Sequence, residues 1–226
     1  NNFAIENFLK NLIQKVSEHY KVIIICSGAS KFKKVFKKKN IVLYDVNIER
    51  KINLIKDFSS LLKIILILRK EKVDIAHSIM PKTGLLVSIA GVISGTKIRI
   101  HTFTGQIWCN LNLFKKFFFI KIDELIILLN NYIFVDSFGQ KKFLENNLNH
   151  RKKLKVIGNG SISGFDLKMF EEKKLNYLSY KKDKINILFV GRINKDKRIF
   201  NLIEAFENLK YKLNIRLIVS GAIDDM

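Results

Sequence analysis

Residues 73–103 read VDIAHSIMPKTGLLVSIAGVISGTKIRIHTF, and this stretch decides the fold class. Its two ends, VDIAHS at 73–78 and KIRIHTF at 97–103, are short runs of the kind that favours strands. The segment between them predicts a helix from about 83 to 94, which ends at Gly95. A strand, a helix and a second strand in this order predict a βαβ unit with parallel strands.

The same alternation continues on both sides of this unit. Further strands are predicted at 22–26, 41–46, 132–137, 153–158, 185–192 and 215–221. Further helices are predicted at 3–18, 53–70, 112–130 and 197–209, and one more follows the strand at 132–137 and ends at about 147. Continuous apolar strands separated by helices indicate a parallel sheet that is covered on both faces. The predicted fold is α/β, a Rossmann-like doubly wound parallel sheet followed by an incomplete second Rossmann-like domain.

A charged, irregular segment at 166–184 separates two βα runs and predicts an interdomain linker. We therefore expect one Rossmann-like domain at 1–165 and the start of a second at 185–226. The first run begins with a helix where such a domain normally begins with a strand, and the second contains two strands and one helix. These features predict a fragment that lacks the first strand and most of the second domain.

The composition is ordinary for a globular protein except for its charge. The 226 residues include 41 Lys and Arg against 20 Asp and Glu, which gives a net charge of +21. Such an excess favours a polyanionic partner, namely phospholipid headgroups, nucleic acid or a nucleotide sugar, although a codon bias towards Lys, Asn and Ile would also produce it. Six lysines lie in KFKKVFKKK at 31–39. They form either a solvated face or a basic patch that faces anionic lipids.

Several classes of protein are excluded or disfavoured. The only cysteines, Cys26 and Cys109, lack the spacing of a disulfide scaffold or a thiolate zinc site, so no metal is expected and a reducing cytoplasm fits. The longest apolar runs, at 64–68 and 125–129, are too short to span a bilayer. A nucleic-acid-binding α/β protein is the alternative from another class. No nucleic-acid motif or base-stacking pattern supports it, so no nucleic-acid partner is expected.

Ligands of open parallel sheets bind beyond the carboxyl ends of the strands. The loops expected there are 77–84, 101–108, 136–140, 158–166 and 191–197.

Four positions in the first two loops, His77, Lys82, Thr104 and Gly105, are candidates for the acceptor side. His77, with Ser78 and Lys82, could face an anionic acceptor, although Ser78 could equally cap the next helix. Thr104 is a further candidate, and Gly105 lets the backbone pass closely beneath a ligand.

His101 directly follows the strand IRI, where an imidazole can bind a sugar hydroxyl or phosphate, relay a proton, or simply end the strand. Trp108 could stack on a sugar, but we favour a role as an anchor for the following helix.

Two later loops have features of phosphate sites. GNGSISGFD at 158–166 contains three glycines within seven residues, and such loops can offer backbone N–H groups to phosphate oxygens. In GRINKDK at 191–197, Gly191 and Arg192 end a strand, and Lys195 and Lys197 lie at the start of a helix. Cations beside a helix N-terminus suit a diphosphate.

Four segments in this order resemble family 4 of the GT-B glycosyltransferases, above all the bacterial enzymes that build capsular and lipopolysaccharide chains. They are RIHTFTGQIW at 99–108, VDSFGQKKFL at 135–144, KVIGNGSISGFDLKMF at 155–170 and ILFVGRINKDKRIFNLIEAF at 187–206. The similarity covers roughly residues 73–220. It implies an acceptor-binding N-terminal domain, a C-terminal domain that binds a nucleotide sugar, UDP-linked by expectation, and transfer with retention of configuration, without a tightly bound metal or other cofactor.

The resemblance also implies roles for single residues. His101 matches the family histidine that contacts the donor sugar, and Arg192 and Lys197 match the pair that clamps the donor pyrophosphate. Asn159 and Gly160 match the Asn-Gly of the loop that joins the domains, with Asp166 as its trailing acid. The expected partners are a nucleotide sugar, a glycan or lipid-linked acceptor and an anionic membrane, at the inner face of the plasma membrane.

Three departures from the family pattern are visible. The first strand with its glycine-rich loop is not found before Asn1, and the Glu-x7-Glu motif would lie beyond Met226. The family's Lys-Gly pair reads Lys197-Arg198 here. A degenerate or split glycosyltransferase half, without activity of its own, is therefore a second alternative.

Overall fold

The computed structural model describes residues 4–49, 52–162, 164 and 184–223. The chain divides into two compact units, Asn1–Phe165 and Asp166–Met226. Asp166 and the predicted linker at 166–184 lie outside the described residues, apart from Lys184.

The first unit alternates strands and helices, as its apolar periodicity predicts. Its strands are β1 (Val22–Cys26), β2 (Ile41–Asp45), β3 (Ile75–Ile79), β4 (Ile98–Phe103), β5 (Tyr132–Val135) and β6 (Leu154–Val156). Its helices are α1 (Lys10–Val16), which continues a π-helical segment at Ile5–Leu9, then α2 (Leu54–Lys70), α3 (Pro81–Ile93), α4 (Leu113–Leu129) and α5 (Phe138–Asn147), with 3-10 helices at Ala29–Lys34 and Ile107–Asn110.

The strand pairs of the first unit are all parallel among the residues that the structure describes. β1 pairs with β2, and β3, β4, β5 and β6 form a four-stranded sheet in that order. Parallel neighbours need a crossover between them, and α3, α4 and α5 supply it for the four-stranded sheet. The predicted α/β class with parallel sheets is thus confirmed.

Helices α3 and α4 cover the same face of β4. A Cβ atom built on Gly84 of α3 would lie 2.5 Å from His101 Cε1 and 3.1 Å from Ile126 Cδ1 of α4. Beside this contact lies the largest core cluster, which is formed by Phe103, Trp108, Ile126, Ile127, Ile133, Val135, Leu144, Leu148 and Leu154. The alternation along the strands leaves Ile75 and Tyr132 exposed on the other face.

The second unit contains one parallel strand pair and one helix in its described part. β7 (Ile185–Val190) pairs with β8 (Ile215–Ser220), and α6 (Ile199–Leu209) connects them after a 3-10 turn at Lys195–Lys197. A Cβ atom on Gly221 would lie 1.7 Å from the Gly191 carbonyl oxygen, so the ends of the two strands touch where only glycine fits.

Three predicted boundaries are wrong, and two of them bear on function. The loops expected at 77–84 and 101–108 begin too early, because β3 extends to Ile79 and β4 to Phe103, and His77 and His101 therefore lie within strands. Helix α3 begins at Pro81 and not near residue 83. Proline fits the first helical position because the N–H that it lacks has no partner there in any case.

No helix in the described ranges is both long and apolar enough to cross a bilayer.

Candidate functional site

An open cleft of about 390 Å³ lies at the carboxyl ends of β4 and β5, and we call it the β4–β5 cleft. It is lined by Thr104, Gly105, Gln106, Cys109, Asp136, Ser137, Gly139, Gln140 and Phe143. Carboxyl ends of neighbouring parallel strands meet at one edge of a sheet, so two loops that are distant in sequence converge here. Thr104 and Gly105, two of the predicted acceptor-side residues, belong to this cleft.

A glutamine holds the two loops of the cleft together. Gln140 Oε1 accepts a hydrogen bond of 2.7 Å from the Asp136 N–H, and Gln140 Nε2 donates to Gln106 Oε1 at 3.3 Å. The hydroxyl of Ser137 caps α5 by accepting from the Gln140 N–H. The amide of Gln140 is thereby fixed from both ends, and it positions Gln106 beside Asp136.

Two buried polar atoms in this network have no hydrogen-bond partner among the described residues. They are the Asp136 Oδ1 acceptor and the Gln106 Nε2 donor. Burial raises the pKa of the Asp136 carboxyl because it removes water from the charged form. Since buried polar groups in folded proteins are nearly always paired, each of these atoms needs an explanation.

The apolar wall of the cleft is Phe143. Its ring stacks on Trp108, with centroids 5.2 Å apart and 19° between the planes. Trp108 is fully buried, and its Nε1 donates to Asp123 Oδ2 at 2.7 Å, so the indole anchors α4 and does not face a ligand. The favoured interpretation of Trp108 is confirmed. Desolvation raises the pKa of Asp123 to about 6, although the indole bond acts in the opposite direction.

His101 lies outside the cleft, in the core. The side chain has 0% of its surface exposed, and its Nδ1 lies 2.8 Å from Ser78 Oγ. Its ring packs edge to face with Phe103, with 4.5 Å between the ring centroids. Its Nε2 has no partner in the described part of the chain. Burial, with a smaller effect of His77, lowers the pKa of His101 to about 3. Contact with a donor sugar stays a prediction, and it requires the ring to leave this position.

The other candidates from the loop at 77–84 are held by neighbours within the first unit. His77 Nε2 lies 2.8 Å from Thr102 Oγ1 on the face away from α3, and desolvation lowers the pKa of His77. Lys82 Nζ forms an ion pair of 2.6 Å with Asp57. The helix-cap interpretation of Ser78 is wrong, because Ser78 lies inside β3 and bonds His101. Acceptor binding by His77 and Lys82 stays a prediction.

The glycine-rich loop after β6 contacts the backbone of Asp136, which lines the cleft. The Ser161 N–H donates to the Asp136 carbonyl at 2.8 Å, and the Gly160 N–H donates to Ile157 O. Gly160 has φ +100°, and a Cβ atom there would lie 2.4 Å from Asp136 O. These two N–H groups are thus used within the protein, and Asn159 is exposed beside them. Donor binding by Asn159 and Gly160 stays a prediction.

In the second unit, basic residues surround the turn that precedes α6. The side chain of Asn194 caps this turn by accepting from the Lys197 N–H at 3.1 Å. Arg192, Lys195 and Lys197 are exposed, and Gly191 directly follows β7. Arg198 adopts a left-handed conformation, with φ +56° and ψ +28°. The backbone therefore has a glycine-like geometry where the family's Lys-Gly pair has glycine.

Sequence reasoning missed the residues that define the polar part of the cleft. Asp136 lies in the predicted loop at 136–140, and Gln140 lies in the first turn of α5, which begins at Phe138 inside that predicted loop. The sequence pattern points to neither residue, nor to Gln106. The usable signal was an acid directly after the strand YIFV, because such a position faces the carboxyl edge of the sheet. Elsewhere in the described ranges, no group of three or more His, Cys, Asp or Glu side chains is arranged to hold a metal ion.

Solved structures share this fold. A glycosyltransferase from Rickettsia africae matches with a TM-score of 0.57 and 21% identity, over 94% of this chain and 62% of its own. A Listeria monocytogenes protein with an assigned UDP-N-acetylglucosamine 2-epimerase activity matches with a TM-score of 0.59 and 15% identity, over 96% of this chain and 59% of its own. Because the two assigned activities differ, the shared fold alone does not identify a reaction.

Two curated proteins are similar to this chain at higher sequence identity than these solved structures. The capsular polysaccharide biosynthesis glycosyltransferase CapM of Staphylococcus aureus is 34% identical over 191 residues, which is 82% of this chain and 50% of CapM. The UDP-Gal:alpha-D-GlcNAc-diphosphoundecaprenol alpha-1,3-galactosyltransferase of Escherichia coli is 45% identical over 56 residues, 25% of this chain and 14% of that protein. The chain spans half or less of the length of these relatives.

Two family models match, one in each unit. "Glycosyl transferases group 1" matches residues 170–225, and "Glycosyl transferase 4-like" matches residues 2–126, more than half of the chain. The predicted resemblance to family 4 of the GT-B glycosyltransferases is thereby confirmed, and the solved structures support the predicted α/β fold with parallel sheets. With parallel sheets in both units and both models matched in chain order, this chain belongs to the glycosyl transferase 4-like family.

Proposed function

We propose that the protein acts as a glycosyltransferase that moves a sugar from a nucleotide-sugar donor to a growing, lipid-linked surface glycan with retention of configuration. The observation that carries the proposal is the match of two glycosyltransferase family models in chain order, at 2–126 and 170–225. The name of the E. coli relative supports a UDP-linked donor and a lipid-diphosphate acceptor. No metal or other cofactor is part of the proposal.

The reaction places negative charge on the departing diphosphate. The bond between the anomeric carbon and the phosphate oxygen breaks, an acceptor hydroxyl forms the new bond to that carbon, and its proton is released. Fixed cations next to the leaving group lower the barrier because its charge grows in the transition state. We assign this role to Arg192 and Lys197, which lie at the carboxyl end of β7.

The test uses the intact gene product. Calorimetry with UDP-sugars should detect donor binding, and transfer to a diphospholipid-linked sugar should be measurable with radiolabelled donor. Arg192→Ala and Lys197→Ala should each lower kcat/KM roughly 100-fold. Lys212→Ala, an exposed lysine in the same unit, is the matched control and should leave the rate unchanged. Donor binding that is absent, or transfer that both variants leave intact, would contradict the proposal.

We further propose a peripheral contact with an anionic membrane at the inner face of the plasma membrane. The first turns of α4 expose Leu113 (82%), Phe114 (91%), Phe117 and Phe118, next to Lys115. Aromatic side chains beside lysines are typical of surfaces that insert into the headgroup region. This supports α4 as the apolar part of the contact.

The lysines at 31–39 remain the electrostatic part of this proposal. All six are exposed, whereas Phe32 and Phe36 are buried in a cluster with Ile5, Ile24 and Cys26. The two rings therefore hold the segment on the first unit, and its lysines form a solvated basic face. Each lysine near an anionic surface contributes about 1 kcal/mol of attraction.

Liposome flotation tests this contact. The protein should float with phosphatidylglycerol vesicles and not with phosphatidylcholine vesicles, and Phe114→Ser with Phe117→Ser should abolish most of the binding. Tyr211→Ser, which removes an equally exposed aromatic residue in the second unit, should have no effect. Equal binding to neutral vesicles would exclude the electrostatic part, and unchanged binding of the double variant would exclude α4.

A further inference from the structure

We propose that the β4–β5 cleft binds a sugar ring through Asp136, Gln106 and Phe143. The inference deepens the proposed function, on which it rests for the source of the sugar, because it names a binding site for one of the two sugars in the reaction. The site follows from the polar atoms, the charge and the shape of the cleft.

The unpartnered atoms of the cleft complement a hydroxyl group. Asp136 Oδ1 can only accept a hydrogen bond when ionised, and Gln106 Nε2 can only donate one. A hydroxyl both donates and accepts, so the hydroxyls of a sugar match the acceptor and the donor in chemical type. Gln140 bonds the backbone N–H of Asp136 and the side chain of Gln106, so it links the two residues that carry these atoms. Both atoms are buried, so the two side chains turn toward the cleft when a ligand binds.

The charge of the cleft disfavours a phosphate as its ligand. None of its nine lining residues is Lys or Arg, although the protein has 41 of them, and one lining residue is an aspartate. A phosphate at this place would meet a carboxylate and no compensating cation. The ligand that fits is a neutral group rich in hydroxyls.

An aromatic wall completes the site. Phe143 is 37% exposed, and its buried face is fixed by the stack on Trp108. A sugar ring has a face of C–H groups that packs on such an aromatic plane while its hydroxyls reach the polar side of the cleft. Asp136 is itself held in place, since its carbonyl accepts from the Ser161 N–H and its N–H donates to Gln140.

The binding experiment uses the side-chain amide of Gln106 in the intact gene product as an NMR probe. Its resonance is assigned by its loss in Gln106→Glu. The probes are methyl glycosides of glucose, galactose and N-acetylglucosamine, the corresponding UDP-sugars, UDP, and inorganic diphosphate. The Gln106 amide should shift with the glycosides or the UDP-sugars. It should not shift with UDP or diphosphate.

Asp136→Asn and Phe143→Leu should each weaken sugar binding roughly 10-fold or more, because a hydrogen bond to a charged group and an aromatic contact are lost. Asp74→Asn makes the same chemical change at the amino edge of the sheet, on an exposed residue before β3, and should leave binding unchanged. An unchanged urea midpoint of Phe143→Leu separates loss of binding from loss of fold.

Steady-state kinetics of Asp136→Asn decides whether the bound sugar is that of the donor or that of the acceptor. An increased acceptor KM with an unchanged donor KM in Asp136→Asn identifies the acceptor sugar, and the reverse identifies the donor sugar. A response of Gln106 to diphosphate alone, or to no sugar at tens of millimolar, would overturn the inference. Sugar binding that persists in a protein without transferase activity would refute the proposed function and leave the sugar site standing.

Discussion

Residues 101 and 104 are three positions apart, yet they lie in opposite environments. His101 is packed between β4 and the helices α3 and α4, with no exposed surface. Thr104 is exposed in the loop after β4 and lines the β4–β5 cleft. Both are polar and both follow the strand-like run IRI in the sequence. The difference shows that the position relative to the end of the strand, and not the polarity of the side chain, decides which of the two residues is exposed at the edge of the sheet.

The largest expected effect is the loss of folding stability in acid, which the burial of His101 causes. His101 has a pKa of about 3 in the folded protein, against 6.5 as its ordinary value. Between these values the unfolded chain binds the additional proton, so stability rises with pH up to about 6.5 and falls on acidification. His101→Leu should remove this dependence, which amounts to about 3 kcal/mol at pH 4. Urea unfolding of both proteins at pH 4 and pH 7 measures it.

The raised pKa of Asp123 changes the stability with pH in the opposite direction to His101. Its pKa of about 6 exceeds the ordinary 3.8, so its contribution to stability is present below pH 4 and is lost as pH rises through 6. His101→Leu keeps this contribution and should therefore lose less stability in acid than the unchanged protein. Equal acid slopes in the two proteins would show that His101 is not buried.

Gly84→Ala should have the next largest effect. The added methyl group would lie 2.5 Å from His101 Cε1, so the ring or the helix must move, at a cost of about 2 kcal/mol. Gly139→Ala is the matched control, because the nearest atom to its Cβ, Ser137 Oγ, is 3.8 Å away. In α5 alanine should be neutral or stabilising by up to about 1 kcal/mol. A tolerated Gly84→Ala would argue against the contact between α3 and His101.

Substitutions of Gly105 test how open the loop after β4 is, in contrast to the packed position of His101. Its φ is +144°, but no atom lies within 4 Å of an added Cβ. Gly105→Ala should cost about 1 kcal/mol from backbone strain alone. Gly105→Ser should cost the same, because the space beside the residue is open. Urea midpoints of the two variants measure this, and a larger loss for serine would indicate crowding in the loop.

Arg198 extends the same reasoning to the second unit and gives the smallest effect. It holds a left-handed backbone conformation without being glycine. Arg198→Gly should stabilise the protein by roughly 0.5–1 kcal/mol, because the strain of the side chain is removed. Arg216→Gly in β8 should destabilise it by a similar amount, since glycine weakens a strand. Urea unfolding of both variants measures the two effects, and a destabilised Arg198→Gly would mean that the arginine makes a compensating contact.

The order of strands and helices could be predicted from the sequence because each element depends on a local pattern of residues. The run IRIHTF is rich in β-branched and aromatic residues, which predicts a strand, but it does not tell which of its faces the helices cover. That depends on Gly84 and Ile126, which lie 17 residues before and 25 residues after His101. For the same reason the polar part of the cleft was not predicted. Gln106 and Gln140 are 34 residues apart and meet only because β4 and β5 are neighbours.

The two cysteines differ as much as His101 and Thr104 do. Cys26 is buried in the core, whereas Cys109 is exposed on the lining of the β4–β5 cleft. Under native conditions a maleimide dye or spin label will therefore react with Cys109, at this edge of the sheet, in preference to Cys26. Spectroscopy of the attached label can then follow occupancy of the cleft without any engineered cysteine.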